Sequence, residues 1–386
     1  DPGVAARKGV HALQDAPGQA QPVGGHGGGV ESRPVVGTAR KMLQDALAAA
    51  GYPERVLVAC SGGPDSLALA AVAAYFARRG HVDGHPVSVG AVVVDHQLQP
   101  GSADVAATAA VALRQLGLSP VQIRTVDVAS AGVGPEAAAR NARHAALEAA
   151  AEDTGAGAIL LGHTLDDQAE QVLLGLARGS GTRSLAGMRP VRDRLLRPFL
   201  GLRRADTLAI CDVEGLDPWH DPSNTDPSFA RSRTRVEVLP LLEEKLGPGV
   251  AESLARTAAI LQLDADYLDD VAEETYLQLR EQTGATISLP EDALRGLAPA
   301  VRFRVIGKAA AAVGGQQPSY QRLLAAEALL RRQGSAGPVE LPGGVSAYRL
   351  SLAQLLTEGQ PGPDGVPREA ARCGKLVFRP QKPPKI

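Results

Sequence analysis

Short apolar segments alternate with longer amphipathic segments along the first half of the chain. Between residues 55 and 163 the apolar segments read "RVLVAC", "PVSVGAVVVDH", "VQIRTVDV" and "AGAILLGH", and each predicts a strand. The segments around them carry apolar residues three and four positions apart, which predicts helices. Strands and helices that alternate in this way form right-handed βαβ units. We therefore predict an α/β fold with a parallel sheet covered by helices on both faces.

A different pattern follows residue 180. It predicts a helix near 201–215, a long helix over 250–282, and further helices near 289–313 and 318–333. The segments "GPVELPGGVSAYRLS" and "GKLVFRP" predict a small β-containing tail, and a Pro/Gly-rich loop separates them near 358–374.

These patterns divide the chain into three parts. Residues 1–34 are rich in Gly, Pro, Ala and Gln without periodicity, and we expect them to be a disordered extension. The α/β pattern occupies residues 35–246. The Gly-Pro-Gly at 247–249 separates it from a mainly helical region with a β-containing tail at 250–386.

Composition places the chain among ordinary globular proteins. It has 386 residues, of which 44% are hydrophobic and 21% charged, with a net charge of −2. A phosphate-binding surface would therefore have to be local. The three cysteines are far apart and form neither a disulfide framework nor a metal pair. With no apolar run near the roughly 20 residues that cross a bilayer and no secretory signal, we expect a cytoplasmic protein without a membrane partner.

The stretch "SGGPDS" at 61–66, here called the glycine turn, follows the first predicted strand directly. A turn that leads into a helix aims backbone N–H groups and the positive end of the helix dipole at one point. Gly62 and Gly63 would let an anion approach the backbone closely. No G-x-x-x-x-G-K-[ST] motif occurs, and Asp65 suits Mg²⁺. The turn therefore predicts a pyrophosphate site with Mg²⁺, although an SGG alone also occurs in plain strand–turn–helix connections.

Two further polar motifs fall at the carboxyl ends of predicted strands, where ligands bind in open parallel sheets. These motifs are "VDH" at 94–96 and "GHTLDDQAEQ" at 162–171. The acidic residues of the second motif would enter the first turn of a helix, which the helix dipole favours, and this alone could be an ordinary acidic N-terminus. A cluster of carboxylates beside the glycine turn would be unstable without a metal or another cation to neutralise it.

The glycine turn resembles the PP-loop of the N-type ATP pyrophosphatases, which split ATP between its α- and β-phosphates. "RPFL" at 197–200 and "WHDPSNTDPSFARSRTRVEVLPLL" at 219–242 complete a series of motifs similar to the tRNA(Ile)-lysidine synthase family over roughly residues 36–350. Gln171 stands where the family usually has Thr, and Ser232 where it usually has Asn. The resemblance implies a PP-loop ATPase fold, like that of the adenine-nucleotide α-hydrolases, over 35–246 and an accessory tRNA-binding region over 250–386.

The resemblance also implies an activity. It is the ATP-dependent ligation of lysine to C2 of the wobble cytidine of tRNA(Ile) with a CAU anticodon, through an adenylated cytidine, with release of AMP and pyrophosphate. ATP, Mg²⁺, L-lysine and the tRNA would be required. The sequence does not decide between a monomer and a homodimer.

The matching positions imply the site residues. ATP would contact Ser61, Gly62, Gly63, Pro64, Asp65, Ser66, Asp95, His96, Gly162 and His163. The catalytic residues would be Asp65, Asp166, Asp167 and Glu170. The metal would be bound by Asp65, Asp166 and Asp167. The tRNA would contact Arg197, Arg203, Arg204, Arg231 and Arg235.

Three alternatives compete with this interpretation. A PP-loop enzyme that thiolates tRNA would normally use clustered cysteines, which this chain lacks. A PP-loop adenylating synthetase for small molecules would share the glycine turn but not the block at 219–242. A non-enzymatic nucleotide- or tRNA-binding module would not need the four carboxylates.

Overall fold

The computed structural model describes residues 32–97, 101–126, 135–179, 181–222, 226–334, 336–358 and 373–381. The predicted disordered extension lies outside these residues up to position 31, whereas positions 32–34 belong to the first helix, which therefore begins earlier than expected. The Pro/Gly-rich loop lies outside them over 359–372.

The described strands are β1 (Arg55–Cys60), β2 (His81–Val82), β3 (His85–Pro86), β4 (Ser88–Asp95), β5 (Val121–Thr125), β6 (Ala158–Leu161), β7 (Val191–Arg192), β8 (Leu195–Leu196), β9 (Glu281–Thr283), β10 (Thr286–Pro290), β11 (Ala336–Leu341), β12 (Val345–Leu350) and β13 (Lys375–Pro380). The described α-helices are α1 (Ser32–Ala49), α2 (Pro64–Arg79), α3 (Ser102–Gln115), α4 (Pro135–Thr154), α5 (Leu165–Ala177), α6 (Thr182–Leu185), α7 (Arg204–Val213), α8 (Ala230–Arg233), α9 (Leu239–Leu246), α10 (Val250–Leu279), α11 (Glu291–Gly296), α12 (Pro299–Gly314), α13 (Tyr320–Ala328) and α14 (Leu352–Glu358). A π-helical segment (Thr234–Val238) joins α8 to α9, and a 3₁₀ turn (Leu329–Arg331) follows α13.

The first sheet has six strands in the order β5-β4-β1-β6-β8-β7. All neighbours are parallel except β7 and β8, which are antiparallel. From β1 the chain adds β4 and β5 on one side and then returns to form β6 on the other side. The point where the strand order reverses therefore lies between β1 and β6, and the carboxyl ends of these two strands flank it.

Side chains of β1 enter two different hydrophobic clusters in alternation. Val56, Val58 and Cys60 join the cluster formed with α1, α2, α3 and α7. Leu57 and Ala59 join the cluster formed with α4. Because successive side chains of a strand point to opposite faces, the sheet is buried on both faces. The predicted fold class, a parallel sheet between layers of helices, is thus confirmed.

The second sheet is antiparallel and has the order β11-β12-β13-β10-β9. The predicted tail segments form β11, β12 and β13. The sequence analysis missed β9 and β10, which lie directly after α10, and β10 pairs with β13 from the end of the chain. Helix α12 covers this sheet and shares its hydrophobic cluster.

Helix α10 has 30 residues and packs against both α5 and α12. Four alanines at seven-residue intervals line its buried side: Ala251, Ala258, Ala265 and Ala272. Small side chains at this spacing let neighbouring helices approach closely. Among the described helices, none is both long and apolar enough to cross a membrane.

Candidate active site

A cavity of about 470 Å³ opens at the carboxyl ends of β1 and β6, next to the point where the strand order reverses. We call it the main cavity. Its lining comes from the glycine turn, the start of α5, the start of α7, and the segments around 219–221 and 231–236. Its charged lining residues include Asp65, Asp167, Arg143, Arg204, Arg231 and Arg235.

The glycine turn leaves backbone donors with weak partners. Gly62 has a φ of +83°, which a side chain would disfavour, and its carbonyl accepts from the Trp219 N–H at 3.0 Å. The N–H of Gly63 has only a 3.5 Å contact with Ser61 Oγ. Helix α2 begins at Pro64 without a side-chain cap. The turn and the open helix start therefore present donors and a positive dipole end to the cavity, as an anion site requires.

Ser66 shapes the turn from within. Its hydroxyl accepts from the Ser61 N–H at 3.1 Å and donates to the Gly63 carbonyl at 3.0 Å. These bonds join both Ser61 and Gly63 to Ser66 and so hold the ends of the turn together.

Asp65 faces the cavity from the first turn of α2. One carboxylate oxygen accepts from Thr207 Oγ1, and the other lies 3.4 Å from Arg204 Nε. Burial is the largest influence and raises the pKa of Asp65 above its ordinary value, although Thr207 and Arg204 act in the opposite direction.

Asp167 is fixed by the cap of α5. Thr164 and Asp167 form a capping box, in which Asp167 Oδ2 accepts from the Thr164 N–H at 2.9 Å. The other oxygen, Oδ1, lies 3.3–3.6 Å from the guanidinium groups of Arg204, Arg231 and Arg235. Burial works against its ionisation, but the charges of Arg231 and Arg204 outweigh burial, and the pKa of Asp167 is lowered.

Glu170 has no exposed surface and is held by two arginines. Arg235 donates to it through Nε at 2.7 Å and through a terminal nitrogen at 2.9 Å, and Arg231 donates through Nε at 3.0 Å. The cation that the carboxylates require is thus supplied by arginines of the chain itself. Arg231 and Arg235 were predicted to contact tRNA, and the structure places them at this cavity.

Asp166 and Arg203 lie outside the lining of the main cavity. Asp166 Oδ2 accepts from the Arg204 backbone N–H at 2.8 Å, and its other oxygen lies 3.2 Å from Arg203. Arg203 also contacts Glu252 at 3.0 Å. Both side chains therefore join α5 to α7 and α10.

The metal prediction can be tested against the carboxylates present. No group of three or more His, Cys, Asp or Glu side chains in the described part of the chain could hold a metal alone. Mg²⁺, however, needs only one or two protein carboxylates when phosphates supply other ligands. Asp65 and Asp167, which both line the main cavity, fit that requirement, whereas Asp166 does not line it.

Similar proteins were found for most of the chain. Residues 36–242 match the PP-loop domain family. A tRNA(Ile)-lysidine synthase of Leifsonia xyli subsp. xyli (strain CTCB07) is 53% identical over 75% of this chain and 85% of that protein. A tRNA(Ile)-lysidine synthase of Thermobifida fusca (strain YX) is 47% identical over 80% of this chain and 94% of that protein.

The chain belongs to the tRNA(Ile)-lysidine synthase family. As a member it is a ligase that forms a carbon–nitrogen bond, and its PP-loop domain implies ATP binding. Among solved structures, a U34-tRNA thiolase, NcsA from Methanococcus maripaludis with its [4Fe-4S] cluster, is similar with a TM-score of 0.49 and 16% identity over 60% of this chain and 80% of that one. That similarity is too weak to bear on function.

Asp95 and His96, the family motif at the end of β4, do not line the main cavity. Asp95 is buried and accepts from the Gln97 N–H at 3.0 Å. His96 lines an adjoining cavity of about 240 Å³, here called the side cavity. Burial, and then the charge of Arg143, lower the pKa of His96.

Arg197, the first residue of the family's "RPFL" segment, was predicted to contact tRNA, and the structure places it in the lining of the side cavity. The residue is 6% exposed, and its guanidinium donates to His163 Nδ1 at 3.2 Å and to the Arg189 carbonyl at 2.8 Å.

Several residues of the site were missed by the sequence analysis. They are Arg143, Thr164, Thr207, Gln168 and Trp219. Thr164 had a visible signal, because T-x-x-D before an apolar run is a capping box. Gln168 lies within the family motif and exchanges two hydrogen bonds with the backbone of Met188, at 2.7 and 3.1 Å. Arg143 and Thr207 carry no local signal, because only the fold brings them to the site. Trp219 begins the block at 219–242, but that block gave it no role in the site.

Proposed function

We propose that this chain attaches L-lysine to C2 of the wobble cytidine of tRNA(Ile) with a CAU anticodon, using ATP and releasing AMP and pyrophosphate. The observation that carries the proposal is that the glycine turn, three carboxylates and four arginines share one cavity where the strand order of a PP-loop domain reverses. The names of the relatives supply the tRNA substrate of the proposal.

ATP would place its two outer phosphates at the glycine turn. The weakly bonded N–H groups of Gly62 and Gly63 and the start of α2 would bind them. Asp65 and Asp167 would hold Mg²⁺, which when bound neutralises phosphate charge and orients the leaving pyrophosphate.

The first step is displacement at the α-phosphorus. The cytosine O2 forms a bond to this phosphorus while the bond to the β-phosphate oxygen breaks. Cytosine O2 needs no deprotonation, so catalysis rests on position and on charge. Arg204, Arg231 and Arg235 line the cavity and would stabilise the negative charge that develops on the phosphates.

The second step is attack of the lysine ε-amine on C2, which expels AMP. Free lysine has a pKa of about 10.4, so the ammonium must lose a proton. Of the three carboxylates predicted to handle lysine, Asp166, Asp167 and Glu170, Asp167 would bind the ammonium and accept this proton. Asp167 is the one of the three that lines the main cavity, and Glu170 is the one that orients Arg231 and Arg235.

The tRNA would be bound by both parts of the chain. We propose that the α/β part, 35–246, carries the catalytic site and that the part over 250–386 contacts the body of the tRNA. Contacts of arginines with phosphates release counterions, so binding should weaken as the salt concentration rises.

The decisive experiment uses ATP, labelled lysine and transcripts with a CAU anticodon, with a GAU transcript as the control. Label should appear on the CAU transcript alone, in proportion to the AMP and pyrophosphate formed. Asp65→Ala should abolish turnover, and Asp193→Ala, at a side chain that is 83% exposed, should not. Label absent from RNA, or full turnover of Asp65→Ala, would overturn the proposal.

Thiolation is the nearest alternative, and the cysteines disfavour it. Cys60 and Cys211 are buried, and Cys373 belongs to the second sheet region. Burial raises the pKa of both the Cys60 and the Cys211 thiols, so neither is a ready thiolate that could carry sulfur.

A further inference from the structure

Arg197 and His163 form a buried contact beside the main cavity. The Arg197 Nε–H donates to His163 Nδ1 at 3.2 Å. A second donation, to the Arg189 carbonyl at 2.8 Å, holds the guanidinium in place. Arg197 thus joins the loop after α6 to the end of β6.

This contact determines which nitrogen of His163 carries the proton. A guanidinium has donors and no acceptor, so His163 Nδ1 must be the acceptor. A neutral imidazole carries one N–H, which therefore lies on Nε2. Burial, opposed by the charge of Asp167 but supported by Arg143, Arg197 and Arg231, lowers the pKa of His163 to about 3. The ring is thus neutral at pH 7.

His163 stands where the two cavities meet. It lines the main cavity, which holds the glycine turn, and also the side cavity. The side cavity is lined by basic groups without a carboxylate: His96, Arg140, Arg143, His144, Arg197 and Arg231. Within the described chain, His163 Nε2 makes no hydrogen bond with protein. Its N–H is therefore available to an oxygen of a bound ligand at the junction.

We propose that Arg197 is a positioning residue that holds His163 as an Nε2–H donor to a non-bridging oxygen of the α-phosphate. This proposal deepens the proposed function and rests on it for the identity of that oxygen. The α-phosphate is the group common to both steps, so one donor at the junction can serve the attack by cytosine O2 and the departure of AMP. His163 donates a hydrogen bond and transfers no proton.

The tautomer can be measured without any substrate. In the full chain labelled with ¹⁵N-histidine, NMR should show His163 with a protonated Nε2 and a bare Nδ1, and the signal is assigned by its loss in His163→Gln. Arg197→Met should give a mixture of tautomers. The control Arg192→Met, at a side chain that is 69% exposed, should leave the signal unchanged. A protonated Nδ1 in the unaltered chain, or an unchanged signal in Arg197→Met, would overturn the assignment.

Two substitutions of His163 itself test the role of the donor. Glutamine places an amide N–H near the position of Nε2, whereas asparagine places its amide near Nδ1. We expect His163→Asn to lower kcat by about a hundredfold, as for loss of one donor to a developing oxyanion, and His163→Gln to retain at least tenfold more activity than His163→Asn. KM for ATP should change much less than kcat.

The two readouts separate the inference from the function on which it rests. Equal losses in both His163 variants would refute the donor role. If the NMR result holds while the unaltered chain fails to transfer lysine to RNA, the proposed function fails and the tautomer assignment stands.

Discussion

Gly162, at the end of β6, lies against the backbone of Asp65 in the glycine turn. A Cβ at position 162 would stand 2.8 Å from the Asp65 carbonyl oxygen and 3.0 Å from the Ser66 nitrogen. The two strand ends that flank the reversal of strand order are therefore in direct contact, and only glycine fits between them.

Gly162→Ala should displace the glycine turn, because the obstructing atoms are backbone and cannot rotate away. We expect ATP to bind at least tenfold more weakly, as measured by calorimetry, while the chain stays folded. Gly181→Ala is the matched control, since it has a φ of −73° and no atom within 4 Å of a Cβ. Equal ATP affinity in the two variants would show that the turn is not the phosphate site.

Asp65→Asn should increase stability while it removes activity. The pKa of Asp65 is raised in the folded chain. At pH values between about 3.9, the ordinary pKa, and the raised pKa, the folded chain therefore binds more protons than the unfolded chain. The free energy of unfolding therefore falls as the pH rises through this window, and at pH 7 the ionised Asp65 destabilises the folded chain to the full extent. We expect a higher Tm for Asp65→Asn at pH 7, no difference near pH 3, and pyrophosphate release at background. A lower Tm at pH 7 would contradict this.

Glu170→Gln should destabilise the fold. The substitution leaves a neutral amide at a fully buried position beside the partly exposed Arg231 and Arg235, and removal of one partner of a buried ion pair typically costs about 3–5 kcal/mol. Urea unfolding at neutral pH measures the change. Glu244→Gln removes one partner of an exposed pair with Lys245 and should leave the unfolding midpoint unchanged. Similar midpoints for both variants would mean that the arginines are not held by Glu170.

Much of the first sheet could be predicted from sequence. The strand β1 occupies the predicted residues and α2 begins at Pro64 within the glycine turn, because an unbroken apolar run and a Gly-Gly-Pro turn mark the junction. The strands β9 and β10 were missed because "EQT" and "TISLP" are short and half polar, and only pairing with β13 identifies them.

The site could be predicted only in part, because some of its residues are brought together by long-range contacts. Residues at strand ends could be placed together by topology alone. The pairing of Glu170 with Arg231 and Arg235 could not, because it joins positions more than sixty residues apart and depends on an irregular helix. The π-helical segment that holds Arg235 precedes Pro240, which has no N–H to donate to the preceding turn.

Ala258→Leu should destabilise the chain by about 1–3 kcal/mol, because the added carbons have no space on the buried side of α10. Ala259→Leu, one residue further on the exposed side of the same helix, is the matched control and should have little effect. Thermal unfolding of the two variants measures the difference. If the two Tm values agree, the alanine side of α10 is not tightly packed.

The two-residue strand β7 has a consequence for contacts between molecules. It ends the first sheet on one side and is followed by Asp193, which is charged and exposed. An incoming strand from another molecule would find hardly any backbone groups to bond there, and charged side chains would repel an apolar partner. On that side the short length and the charge of the edge strand protect the sheet against edge-to-edge aggregation.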